Sequence, residues 1–201
     1  MAISRFSTSR LTQGLPKYQN AWDTVSPSSA LVPIASQVLT GNVASVTFSN
    51  IPQEFADLRI VSFARTTFSN LSESLVLQYN SDSSALYSAV SVVTADTIYH
   101  GKQSGYTNHV FSQVAANTAP AGTYSTTVTD IINYANTTSF KSTLTRHSCD
   151  YNNSGSSAVG WYAMLYRSTN AISSFQITSA NGSNLMAGST FTLYGVRRFV
   201  A

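Results

Sequence analysis

The sequence predicts an all-β fold: a single jelly-roll-like β-sandwich over residues 36–201, preceded by an extended N-terminal arm at 1–35. Three observations carry this. From Val38 onward apolar residues recur at period two, the pattern of strands with a buried face. The runs are short and separated by turn-forming clusters, Asn80-Ser81-Asp82, Ala119-Pro120-Ala121-Gly122, Asn152-Asn153-Ser154-Gly155 and Asn181-Gly182-Ser183. The length, 201 residues, suits one core plus an appendage.

The arm has no sustained periodicity and is interrupted by Pro16, Pro27 and Pro33, so it cannot form a core of its own. It carries spaced large side chains, Phe6, Leu11, Leu15, Tyr18 and Trp22. Its cations, Arg5, Arg10 and Lys17, all precede the first acidic residue, Asp23. A segment of that kind is expected to order on a partner, anchors entering pockets and cations meeting acidic groups. Those eight residues are the candidate partner-binding set.

Within the sandwich, Ala44, Val46 and Phe48 share one face of the first strand. Residues 58–65 are apolar on both faces, which marks a central strand, and Leu75, Leu77 and Tyr79 form a third. Further strands are expected near 86–93, 108–115, 124–133, 140–150, 158–167, 172–178 and 190–197. Val128, Ile131, Ile132 and Ala135 have helical spacing, but a strand ending in a turn at 133–138 is preferred. The expected core includes Phe48, Ile60, Leu77, Trp161, Leu165, Phe191 and Leu193.

Charged residues make up only 9% of the chain, against a usual value of about 25%. Ser, Thr and Asn keep the surface wet instead, which suits a protein packed permanently against neighbours. The net charge of +3 comes from scattered cations, so nucleic acid is not an expected partner. No run approaches the roughly 18 apolar residues of a membrane helix, and MAISRFSTSR lacks the apolar core of a signal peptide. Synthesis in a cytoplasm and no membrane partner are therefore expected. Cys149, the single cysteine, excludes an intrachain disulfide.

Candidates for chemistry are few. A thiol beside an imidazole could form an activated nucleophile, and His147 and Cys149 share a strand face, but no third group is placed by the sequence and packing is the expected role. His100, His109 and His147 lack metal-ligand spacing. The carboxylates are dispersed, so a glycosidase pair about 5 to 9.5 Å apart would have to be assembled by the fold. Tyr99, Tyr106, Tyr124 and Tyr151 beside polar turns could stack on sugars, though strand faces and subunit contacts are the commoner use. No enzyme activity, catalytic residue, metal or cofactor is expected.

Several segments nevertheless resemble a known group. Val46–Arg65 (VTFSNIPQEFADLRIVSFAR) is similar to the opening "xVTFSxIPxxYxxLxLxxxxR" of a group of bacteriophage virion proteins. Leu77–Asp82 (LQYNSD) with Tyr87 resembles its "RFNxDxxxxY", and Asp130–Lys141 (DIINYANTTSFK) its "DIxDYANTxxYK". Ala171–Thr178 (AISSFQIT) and Gly188–Val196 (GSTFTLYGV) resemble its ending. Phe55 stands where the pattern has Tyr, and Gln78 where it has Arg. Pro52 is suited to end a strand, and Gly195 to allow close approach in the last one.

The resemblance implies a non-enzymatic structural component of a phage virion, made in the host cytoplasm. The leading expectation is a capsid decoration or cement protein bound to the major capsid protein through the arm and self-associated, with a trimer foremost. The alternative is a tail fibre or receptor-binding module that recognises the host surface.

Overall fold

Alternation at period two becomes strand wherever one face can be buried. In the computed structural model of the chain, described over residues 30–94, 98–151 and 157–197, every regular element is a strand. They are β1 (Leu31–Val38), β2 (Ser45–Phe48), β3 (Asp57–Ala64), β4 (Ser72–Tyr79), β5 (Tyr87–Thr94) and β6 (Ile98–Tyr106). The rest are β7 (His109–Ala115), β8 (Ser125–Ile132), β9 (Lys141–Cys149), β10 (Ala158–Tyr166), β11 (Phe175–Ser179) and β12 (Thr190–Val196).

Two antiparallel sheets pack face to face. The larger has the order β1-β12-β3-β8-β9-β10-β5-β6 and the smaller β2-β11-β4-β7. The chain passes repeatedly between them, and β2-β11-β4-β7 set against β3-β8 and β5-β6 is the wrapping of a jelly roll. Hairpin β9–β10 is inserted between β8 and β5, while β12 and β1 extend the large sheet beyond β3. The expected all-β sandwich is thus present, with β3 central and β8 ending in a turn, as its sequence suggests.

The core lies between the sheets. Phe48, Ile60, Leu77, Phe191 and Leu193 are buried there, as expected. Trp161 and Leu165 are not: they are 54% and 37% exposed, and their neighbours Tyr162, Met164 and Tyr166 face inward instead. Both faces of β10 are apolar, so alternation alone does not fix which is buried, and a one-residue change of phase exchanges them. Tyr166 and Tyr87 stack inside with centroids 4.8 Å apart, and Tyr79 packs on both.

Two strands, the edges of the large sheet, escape sequence periodicity because neither buries a full face. β1 begins at Leu31, so residues 31–35 belong to the large sheet rather than to an arm. Its register shifts between Pro33 and Ala35, which accommodates at an edge the missing proline donor. β6 pairs only with β5 and is exposed on most of its length, so IYHGKQSGY has no buried face to impose alternation. The arm candidates Arg5, Phe6, Arg10, Leu11, Leu15, Lys17, Tyr18 and Trp22 lie outside the described residues.

Candidate functional site

The residues that carry the resemblance are occupied with holding the fold. Arg65 is buried, and its guanidinium donates to the carbonyls of Pro120 (2.8 Å), Thr123 (3.2 Å), Asn117 (3.2 Å) and Ala119 (2.6 Å). It thereby pins the 117–123 loop. The ring of Phe55 lies on Gly195, where an added Cβ would come within 2.3 Å of it. Asn80, at φ 52° in the left-handed region, accepts from the Ser173 and Ser174 amides and donates to the Ala171 carbonyl, placing the entry to β11. Tyr134 donates to the Pro52 carbonyl, and Lys141 Nζ to the carbonyls of Ser139 and Thr169.

The carboxylates are spent in the same way. Asp130 takes a two-pronged bond from Arg59, 2.6 and 3.1 Å. Asp82 accepts from the Ser84 amide and from Tyr166, 2.6 Å, and hydrogen bonds from Ser84 and Tyr166 hold it below the ordinary carboxylate range. Burial works to raise Glu73, but bonds from Ser179, Ser183 and the Asn181 amide outweigh it and hold it low. No group of three or more His, Cys, Asp or Glu side chains that could hold a metal occurs among the described residues.

His147 and Cys149 do share the inner face of β9, both buried. Yet the thiol bonds to Tyr151 Oη at 2.8 Å rather than to the imidazole, and burial pushes its pKa up, away from a reactive thiolate. His147 lies over Gly160, where a Cβ would meet Nε2 at 2.5 Å, and neither ring nitrogen has a hydrogen-bond partner among the described residues. Burial lowers its pKa to about 4, with the Gln113 backbone pulling the other way. His109, also buried without a partner and packed edge-on against Tyr79 and Tyr87, is pushed down to about 3. His100 stands exposed on β6. Of the tyrosines considered for sugar stacking, Tyr151 is fully buried and Tyr124 donates to the Ala187 carbonyl while stacking on Phe63. Tyr99 and Tyr106 are exposed on β6.

The surface with unspent binding capacity is the outer face of the large sheet. Leu144, Trp161, Val159 and Val90 there are 52, 54, 44 and 55% exposed. The strand register brings them together: Leu144 opposes Ala163, which opposes Val90, while Arg146 opposes Trp161. Leu165 and, on β8, Ile132 extend the apolar area. A groove of about 380 Å³ runs beside the indole, lined by Thr126, Val128, Arg146, Ser148, Val159 and Trp161. A second, about 370 Å³, lies between Val90, Lys102 and Leu165. Sequence reasoning missed this face because it assigned Trp161 and Leu165 to the core.

The chain matches no family model, and comparison with curated proteins and with solved structures yields no match either.

Proposed function

We propose that the protein is a non-enzymatic structural component of a bacteriophage virion, a capsid decoration or cement protein made in the host cytoplasm and tied to its particle by the N-terminal arm. The observation that carries this reading is a division of labour within the fold. The segments resembling phage virion proteins supply the framework contacts, Arg65 on its loop, Phe55 on Gly195 and Tyr134 on Pro52. What remains for function is apolar contact surface: the outer face of β9, β10 and β5, outside those segments, and the spaced anchors of the arm. Contact surface with few ions is what a shell component requires. The tail fibre or receptor-binding alternative draws on the exposed Trp161 beside Arg146, an arrangement that also suits ring stacking.

Two measurements test this. Densitometry of purified virions should give a copy number approaching that of the major capsid protein; a few tens of copies would favour the fibre reading, and absence would end both. Deleting residues 2–24 should leave a folded β module that no longer occupies particles lacking the protein, with Trp22→Ala weakening occupancy more than Lys17→Ala. A deletion variant that binds as well as the full chain would show that the sandwich, not the arm, makes the attachment.

A further inference from the structure

We infer that the outer face of the large sheet is a docking surface for a second copy of this chain, with each Arg146 guanidinium seated on the partner's Trp161 indole.

The size of the face fits a protein partner better than a small ligand. From strand spacing and rise, the area over β8, β9, β10 and β5 measures roughly 20 by 25 Å. That is a flat footprint of roughly 500 Å², which projecting side chains raise toward the roughly 600 Å² of accessible surface per partner at the small end of standard contacts. Its centre is apolar, made by Leu144, Val159, Trp161 and Val90, and its margin is polar, made by Thr126 and Ser148 at one end and Lys102 beside Val90 at the other. An apolar centre with a polar rim is the anatomy of a homodimer contact.

The occupant follows from self-complementarity. Arg146 is exposed, with no carboxylate or carbonyl partner among the described residues, and stands directly across from Trp161 in the β9–β10 register. A two-fold axis lying between two such faces, parallel to the strands and midway between β9 and β10, exchanges those two positions. It sets each guanidinium over an indole and each Leu144 over an Ala163, the larger side chain meeting the smaller. The cation–π contact then forms twice, once on each side of the axis, and needs no carboxylate, of which this part of the face has none among the described residues beyond Asp130, already paired with Arg59. Such a contact is isologous, so its unit is a dimer, and the threefold symmetry implied by the resemblance would have to come from another surface. The contact stands whether or not the protein rides on a virion.

The test uses the full chain carrying Trp22→Phe, which leaves Trp161 as its only tryptophan. Sedimentation velocity and acrylamide quenching of Trp161 are followed together from about 1 to about 100 µM. The expected result is a dimer that dissociates on dilution, with Trp161 shielded in the dimer and quenchable in the monomer. Arg146→Glu should weaken association at least about tenfold. Val90→Lys, placed across the same patch, should do likewise, with unchanged far-ultraviolet circular dichroism showing that both variants fold. A protein still monomeric at the top concentration overturns the inference. So does an oligomer whose Trp161 stays fully quenchable, shielding that persists in the monomer, or association indifferent to both substitutions.

Discussion

Arg65 offers the most direct measure of how the framework is held. Its guanidinium is buried, faces no carboxylate among the described residues, and donates to four carbonyls of the 117–123 loop. Arg65→Met keeps the apolar stem and removes those donors. Four bonds at about 1 kcal/mol net each, less what is regained by no longer desolvating a cation, give an expected loss of about 3 kcal/mol. Arg65→Lys retains the charge, but three donors on one nitrogen cannot reach four carbonyls spread along a loop, so it should lose about 1 to 2 kcal/mol. Urea denaturation followed by far-ultraviolet circular dichroism measures both; with a slope of about 2 to 3 kcal/mol per M, the Met variant's midpoint should fall by roughly 1 M or slightly more. A Met variant within about 0.5 kcal/mol of the parent would refute the reasoning, because it would mean that the loop holds its shape without the guanidinium.

The faces of β10 should respond oppositely to truncation: Tyr166→Ala should cost about 3 to 5 kcal/mol and Trp161→Ala under about 1 kcal/mol in the dilute monomer, as read by urea midpoints. Stability should fall on acidification. The folded-state values of His109 and His147, about 3 and about 4, lie below the ordinary 6.5, so the unfolded chain binds protons that the folded one refuses. The contribution is complete above about pH 6.5 and is lost at about 1.4 kcal/mol per pH unit per imidazole as pH falls toward those values. Urea midpoints at pH 7.5 and 4.5 check this, and His109→Gln should remove about half of the difference. Gly195→Ala should cost about 1 to 3 kcal/mol because its Cβ collides with the Phe55 ring; Phe55→Leu in the same chain should recover part of that loss, and an additive pair would argue against the contact.

The fold class was legible because alternation and turn chemistry are local properties. β7 to β12 fall close to where their apolar runs and flanking turns put them, and Gly195 takes the close approach that its place in the last strand suggests. β1 and β6 were illegible because these two edges of the large sheet, unlike the buried edges β2 and β7, have little burial to impose a pattern, and in β1 a proline at a bulge reads as a chain break. The buried imidazoles show another limit: His147 and Cys149 do share a face, but only packing reveals that Tyr151 takes the thiol while Gly160 makes room for the ring.

The functional face was misassigned for a reason that the sequence itself could have corrected. Period two says that Trp161 and Leu165 share a side of β10, but not which side, since both sides are apolar. The neighbouring strand removes that ambiguity. β9 has one face made of Ser142, Leu144, Arg146 and Ser148 and another made of Lys141, Thr143, Thr145, His147 and Cys149. Lys141, at the start of the strand, carries its ammonium to loop carbonyls, as Arg65 does its guanidinium, whereas Arg146 in mid-strand has none within reach among the described residues. Burying an unpartnered cation costs far more than burying a histidine, which can shed its proton, so the Arg146 face points to water. The short connection after Cys149 makes β9 and β10 a hairpin, and its register sets Trp161 against Arg146 and Ala163 against Leu144. Residues opposed across a pair lie on the same side of a sheet. Trp161 is therefore exposed because Arg146 is, and the same pairing that turns the indole outward supplies the cation beside it.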